Sequence, residues 1–307
     1  MREAETVGAC CGSLFLRIQN RQNPIPPPRM TISLILAFYK KTDALDLIFK
    51  ALARQSFTDF EVIIAEDDNN PAARAFVEDA RTRYPFPMKH LWQDEDRGFR
   101  KNMMLNRSIA VAEGEYLVFI DGDCIPHRQF LRRYARQARR GEALFGRRVM
   151  LNERFSAHLL AQQNLDVLSY GRLLWQRGGD SLRYGLYLPF LSWYRREGIW
   201  GCNWGIHREH LVAVNGFDED YVRAAIGEDT DIEWRLLRSG VKLKSVRFGA
   251  IIYHLHHPVH YSDEGVDFNV QLMSQKMAAG HVYCLNGLDQ HTGRPLDLVA
   301  CPVAVSR

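Results

Sequence analysis

The chain has 307 residues, 46% of them apolar and 25% charged, with a formal net charge of +4. That composition excludes disordered and collagen-like chains and supplies enough sequence for one large core or two smaller ones. No window holds the eighteen or more consecutive apolar residues of a membrane-spanning helix, and the longest apolar runs are strand-sized, so the chain is expected to be soluble. Arginines outnumber lysines 32 to 8. Guanidinium forks suit phosphates and carboxylates, although such a bias also arises as a compositional habit of a genome. Thirty-six acids balance the basic residues, so nucleic acid is not expected as a partner. Six cysteines form no CxxC pair, which fits a reducing cytoplasm.

Residues 1–29 lack the basic leader of a signal peptide and end in the proline-rich Asn23–Arg29, so they are expected to form a poorly ordered tail. From Met30 the pattern alternates: an apolar run Ile32–Phe38, a helix pattern Thr42–Gln55, a second run Phe60–Ala65, a helix Ala72–Arg83 and a short strand Met88–Trp92. A helix from about Arg100 to Ala112 and a strand Glu115–Ile120 complete the series. Such a βαβα order predicts an α/β fold with a mostly parallel sheet between helices, whose ligands sit at the carboxyl ends of the strands. The loops after Phe38, Ala65 and Ile120 should therefore share one crevice.

The helix pattern His127–Arg140 sets Phe130, Leu131, Tyr134, Ala135 and Ala138 against six arginines on the remaining surface. That basic face and the aromatic stretch Tyr184–Trp200 suit peripheral contact with an acidic membrane surface, while a solvated helix face and a folded loop explain them equally simply. Helices at Arg208–Val214 and Glu228–Arg238 and strands at Val241–Val246 and Ala250–His254 follow.

Four acidic or histidine-rich segments could carry chemistry. Asp121-Gly122-Asp123 directly follows a strand; residues two apart face one side, and paired carboxylates there suit Mg²⁺ or Mn²⁺ carrying phosphate oxygens. A plain Asp-Gly turn is the structural alternative. Glu66, Asp67 and Asp68 end a second strand, where three carboxylates repel unless cations or hydrogen-bond donors are present. Asp68 is assigned to capping the next helix, and Glu66 and Asp67 remain site candidates. Glu228, Asp229 and Asp231 open a helix, where acids are favoured by the dipole and where one could act as a general base. His254-Leu255-His256-His257 ends a strand, and alternation puts His254 and His256 on one side as metal ligands. Finally, Arg97-Gly98-Phe99-Arg100-Lys101-Asn102 sets basic residues at a helix start, which calls for an anionic partner.

In order along the chain, ISLILAFYKK, QSFTDFEVIIAEDDN and RGFRKNMMLNRSIAVAEGEYLVFIDGDCIP resemble the family 2 glycosyltransferases of the GT-A fold. The later NWGIHREHLVAVNGFDEDY and GEDTDIEWRLLRSG resemble the acceptor half of chondroitin-polymerase-like and β4-galactosyltransferase-like members. The resemblance covers roughly Thr31 to Pro258, and Lys40, Glu66 and Asp68 depart from the family pattern. It implies a single catalytic domain over 30–262, with a nucleotide-binding half (30–125), an acceptor half (126–262) and a C-terminal extension (263–307).

Carried over residue by residue, the resemblance makes Phe38, Tyr39 and Asp67 partners of a uracil-type base, with Glu66 nearby and Arg100 beside the base or diphosphate. Asp121, Gly122 and Asp123 would hold the ribose and a Mn²⁺ or Mg²⁺ ion, with His254, or His256 in its place, as a further ligand. Asp229 would be the general base and Glu228 would orient the acceptor; Trp200, Asn203 and Trp204 would line the sugar and acceptor pocket. The implied activity is inverting transfer from a nucleotide-sugar, a UDP-sugar by preference, to a hydroxyl of a glycan or lipid-linked acceptor. The implied setting is surface polysaccharide or lipopolysaccharide synthesis, in the cytoplasm or at the inner face of the membrane. A metal-dependent phosphohydrolase could use the same carboxylates and histidines, and a non-catalytic sugar-nucleotide or glycan binder would keep the base and metal sites.

Overall fold

The computed structural model describes residues 30–196, 198–224, 227–258 and 262–293. The first half follows the alternation read from the sequence: β1 (Ile32–Phe38), α1 (Thr42–Ala53), β2 (Phe60–Glu66), α2 (Pro71–Arg83), β3 (Met88–Leu91), α3 (Lys101–Val111) and β4 (Tyr116–Asp121). The second half contains β5 (Cys124–Pro126), α4 (Phe130–Gln137), β6 (Glu142–Phe145), β7 (Arg147–Leu151), α5 (Glu153–Gln162), α6 (Tyr170–Trp175) and β8 (Gly179–Asp180). It continues with β9 (Trp193–Arg195), β10 (Asn203–His207), α7 (Arg208–Ala213), α8 (Glu228–Arg238), β11 (Lys242–Ser245), β12 (Ile251–His254) and α9 (Asp263–Ala279). The expected tail 1–29 lies outside the described residues.

The large sheet has the order β3-β2-β1-β4-β10-β6-β11-β9, and a second sheet has the order β5-β12-β7-β8. β1 is parallel to both β2 and β4, and β10 is antiparallel to β4 and to β6. Because β10 reverses direction once on each side, β6 and its parallel partner β11 run the same way as β4. The carboxyl ends of β1, β2, β4, β6 and β11 therefore open on one edge, together with the amino end of β10.

Side-chain alternation in the central strands builds a core on each face. Leu34, Leu36, Val62, Ile64, Val118 and Ile120 pack with α1, α2 and the small sheet. Ile35, Ile63, Leu117 and Phe119 pack from the other face with Met104, Leu211, Ile232 and Leu236 of the helices. The C-terminal extension joins this second core: Leu288 is buried in it, and Lys276 pairs with Asp218 at 2.7 Å and Asp220 at 2.6 Å.

The structure corrects the reading of the basic helix. α4 is shorter than the predicted 127–140, and Arg133 is buried rather than solvated, donating to the carbonyls of Pro189 and Leu191. It holds the aromatic segment against the domain. Among the described residues no helix is long and apolar enough to cross a membrane.

The two sheets are joined by Asn203, which is fully buried. Its Oδ1 accepts from the Tyr134 hydroxyl at 2.7 Å, and its Nδ2 donates to the carbonyls of Arg147 and Ala250, each at 2.9 Å. Replacing Asn203 by Ala strands three buried polar groups, so Asn203→Ala should destabilise the fold by about 3 kcal/mol or more in a denaturant titration. A loss below about 1 kcal/mol would show that these bonds do not hold the sheets together.

Candidate active site

The carboxyl edge of the large sheet gathers the acidic strand ends. Register pairs Ala37 with Asp121 and Phe38 with Glu66, and the Asp67 amide donates to the Phe38 carbonyl at 2.9 Å. At Gly122 the chain passes so close to β1 that an added Cβ would lie 3.0 Å from the Ala37 oxygen and 3.2 Å from the Phe38 Cα. Gly122 thus suits the close passage over the neighbouring strand, where a side chain would be crowded.

Asp123 lies between the two sheets, and the antiparallel pairing of β12 with β5 sets His254 opposite Cys124 beside it. His254 Nε2 is 3.5 Å and His257 Nε2 is 3.0 Å from an Asp123 carboxylate oxygen. One ligand atom from each of Asp123, His254 and His257 lies within 4.8 Å of the others, so these three residues could share an ion. Burial would raise the Asp123 pKa, but the His257 hydrogen bond and the charges of His254 and His257 hold it below the usual carboxylate range. Burial lowers the pKa of His254, against the opposing pull of Asp123, and so favours the neutral imidazole that a metal requires. His254 Nδ1 is buried without a hydrogen-bond partner. One carboxylate and two imidazoles fit Mn²⁺ better than Mg²⁺, which prefers oxygen throughout.

The anion that the basic start of α3 calls for is supplied by the protein. The Arg100 amide donates to both carboxylate oxygens of Asp67, at 2.9 and 3.0 Å, and Gln93 Nε2 donates to Asp67 Oδ1 at 2.8 Å. Burial raises the Asp67 pKa to about 7, against the opposing pull of the Arg100 amide, Lys101 and Gln93. Lys101 Nζ lies 3.0 Å from Asp121 Oδ1, and a Cβ added at Gly201 would sit 3.4 Å from that same nitrogen. Lys101 therefore links the β4 carboxylate to the loop before β10.

From the far side, α8 holds that loop. Asp229 Oδ2 accepts from the Gly201 amide at 3.3 Å, and Glu233 Oε2, one turn later, accepts from Gly198 and Ile199 at 2.8 and 2.6 Å. Trp200, between them, stays partly exposed, with the Arg147 guanidinium 4.4 Å from its ring centroid. Asp229 thus faces the crevice across Gly201 and Lys101 from Asp121.

Several sequence expectations require correction. Glu66 is fully buried, held by His90 Nε2 at 2.7 Å and the Asn70 amide at 3.2 Å, and so braces β2 and β3. Phe38 belongs to the core, leaving Tyr39, 54% exposed, as the aromatic ring presented at that strand end. Trp204 is fully buried and stacks on Phe119 at 4.6 Å, and Asn203 is the internal tie described above, so neither lines a pocket. His256 is exposed, its amide donating to the Ser156 hydroxyl, because the chain leaves strand geometry after His254; His257 comes to Asp123 instead. Asp231 is buried against Arg235 at 2.8 Å and has a structural role. The side chain of Glu228 lies outside the described residues. Sequence reasoning assigned no site role to Lys101, His257 or Glu233. His257 carried a signal as a member of the histidine-rich segment, and Lys101 as a cation of a helix start that lacked an evident anion; Glu233 carried none.

Metal binding separates these assignments. In a calorimetric titration with Mn²⁺ alone, Asp123→Ala should abolish binding and His257→Ala should weaken it by more than about tenfold. His256→Ala should leave it unchanged; the reverse order for the two histidines would displace His257 from the ion.

The model of the family described as "Glycosyl transferase family 2" matches residues 33–211, and that of the "N-terminal domain of galactosyltransferase" matches residues 189–258. Glycosyltransferase AglE of Haloferax volcanii is 26% identical over 104 residues, covering 33% of this chain and 33% of that protein, so the chain spans about a third of the curated relative it matches. Among solved structures, S. aureus TarS 1-349 in complex with UDP is similar with a TM-score of 0.56 and 17% identity, over 81% of this chain and 65% of that one. The mannosyltransferase PcManGT of Pyrobaculum calidifontis, in complex with GDP-Man and Mn²⁺, gives 0.52 and 16%, over 83% and 64%. GalNAc-T7 with UDP, GalNAc and Mn²⁺ gives 0.59 and 10%, over 81% and 48%. These likenesses establish the GT-A fold. With the family model spanning more than half of its length, the chain belongs to glycosyl transferase family 2.

Proposed function

We propose that the protein is an inverting glycosyltransferase that moves a sugar from a nucleotide-sugar, a UDP-sugar by preference, to a hydroxyl of a glycan or lipid-linked acceptor. The observation that supports this reading is the chain of contacts that runs from Asp229 through the Gly201 amide and Lys101 to Asp121. Asp229 is partly exposed and can take the proton of the acceptor hydroxyl as that oxygen attacks the anomeric carbon. The bond from that carbon to the diphosphate breaks on the opposite side, inverting the centre. Lys101 stands beside Asp121, where it can face the negative charge of the departing diphosphate. A divalent ion, Mn²⁺ in preference to Mg²⁺, held by Asp123, His254 and His257 would neutralise that diphosphate further. The exposed Tyr39 ring and the Asp67 carboxylate beside the start of α3 are the groups offered to a uracil-type base. Exposed Trp175 and Phe190 support peripheral contact with a membrane surface, which suits a cytoplasmic step in surface polysaccharide or lipopolysaccharide synthesis.

Calorimetric titration with UDP, with and without Mn²⁺ and with GDP as control, tests the donor half of this reading. UDP should bind in a Mn²⁺-dependent way, and Asp123→Ala should abolish that dependence. Asp229→Asn should keep donor binding and lose about 10²- to 10⁴-fold in turnover. Equal turnover of the wild type and Asp229→Asn would remove Asp229 as the base.

The raised pKa of Asp67 gives a pH dependence. Only the ionised carboxylate accepts fully from the N3–H of a uracil, and the ionised fraction rises as pH passes through about 7. Affinity for a UDP-sugar, whose diphosphate does not titrate in this range, should therefore increase about tenfold between pH 6 and pH 8. Asp67→Asn should bind weakly, with that rise removed; an unchanged pH profile in the variant would take Asp67 away from the base.

A further inference from the structure

Beyond Trp200, the edge that holds Asp121 and Asp229 continues into a group of arginines. Arg147 follows β6, Arg247 follows β11, and Arg195 ends β9, which pairs with β11 at Leu243. Since β6 and β11 run parallel to β4, the first two emerge at the same edge as the candidate catalytic carboxylates.

Among the described residues none of these three arginines forms an ion pair with a carboxylate. Aromatic rings position Arg247, and rings together with carbonyls position Arg147. The Arg247 guanidinium carbon lies 4.5 Å from the Trp193 ring centroid, 4.9 Å from Phe248 and 5.7 Å from Tyr184. That of Arg147 lies 5.0 Å from Phe145 and 4.4 Å from Trp200, with Nη1 donating to the carbonyls of Gly146 and Gly198. Rings and carbonyls orient a guanidinium without cancelling its charge. Arg247 Nε is buried with no hydrogen-bond partner. Burial lowers the Arg147 pKa, and the charges of Arg195 and Arg247 lower it further against the opposing pull of Tyr184, so both cations stand near Arg147. Arg147 and Arg247 are partly buried and Arg195 is exposed beside them, and clustered cations without a carboxylate partner stay favourable when an anion completes them.

We infer that Arg147, Arg195 and Arg247, with the rings of Trp200 and Trp193, form a subsite for an anionic group, phosphate or carboxylate, borne by the acceptor glycan near its reacting hydroxyl. The inference rests on the glycosyltransferase reading and narrows its acceptor to an acidic glycan. The rings offer flat faces to the apolar side of a sugar, and the guanidinium forks match a phosphate or carboxylate in two-point contact.

The test uses the full chain with EDTA present, so that no metal site competes for anions. Binding of an oligogalacturonate, a phosphorylated disaccharide and neutral lactose is followed by tryptophan fluorescence and calorimetry. One or both acidic ligands should bind at least about tenfold more tightly than lactose, and which of them does so separates carboxylate from phosphate. Arg195→Gln and Arg247→Gln should each weaken that binding about fivefold or more, and the pair together should abolish the preference over lactose. Arg172→Gln, an exposed arginine on α6, should have no effect. Equal binding of acidic and neutral ligands, or acidic binding untouched by the double variant, would overturn the subsite. Mn²⁺-dependent UDP binding, measured on the same proteins, should survive both substitutions. If UDP fails to bind the wild type while the acidic glycan still binds through these arginines, the donor reading fails and the anion subsite stands.

Discussion

Between Asp121 and Cys124 the chain leaves the large sheet and enters the small one, and the rest of the site is arranged around that short crossing. Asp121 is still paired with Ala37 of β1, whereas Cys124 is already paired with His254 of β12. The two residues between must span the gap while passing directly over the end of β1, which leaves a side chain at position 122 crowded against Ala37 and Phe38. As a result the two carboxylates stand on either side of a sheet junction, Asp121 toward α3 and Asp123 toward the histidines. The Leu255 amide donates to the Asp123 carbonyl at 2.9 Å, which extends the same strand pairing and fixes where His254 stands. Asn203 then locks the junction from behind by bonding elements of both sheets.

Charge is matched acid by acid along this edge. Asp67 accepts from the start of α3, Asp121 meets Lys101, Asp123 meets two imidazoles, and Glu66 is hydrogen-bonded to His90 below the surface. Four carboxylates at two strand ends would otherwise repel, and their donors on or beside α3, β3 and β12 draw those three elements toward the same place. Among the described residues, the Asp229 carboxylate accepts long hydrogen bonds from Gly201 and Thr230, at 3.3 and 3.5 Å, and it stays partly exposed.

The first half of the fold was legible because buried parallel strands read as continuous apolar runs, and their helices carry an apolar stripe. The second half was less so, for reasons that lie in particular residues. β6 and β7 flank Gly146, where an added Cβ would run into the Asn203 amide and the Ala250 carbonyl, so their short segments read as one interrupted stretch. β10 contains Gly205 packed against Tyr116 and begins with a buried Asn, which hides its strand character. The acidic and histidine motifs lie together at the carboxyl edge of the sheet, but sequence did not say which members turn inward. Glu66 and Asp67 are adjacent, yet one is sealed in the core and the other caps a helix. Alternation chose His256 over His257 because it assumes an extended chain, and the strand ends at His254. Trp204 and Trp200 differ in the same way, one inside β10 and the other in the loop before it.

α8 shows how a structural charge positions one offered for chemistry. Asp231 and Arg235 form a pair that is 1% exposed on each side, and Arg235 also donates to the carbonyls of Val214 and Gly216 at 2.8 and 2.7 Å. Burying such a pair adds little net stability, because desolvation offsets most of the attraction. What it fixes is rotation: with Asp231 turned inward, Asp229, two positions earlier and about 200° around the helix, is turned toward the crevice. Glu233, one turn beyond Asp229, lies on that same face and binds the amides of Gly198 and Ile199. The helix thus sets the direction of Asp229 and the path of the Gly198–Gly201 loop together, so a change in the buried pair would move Asp229 and the Trp200 ring as one unit.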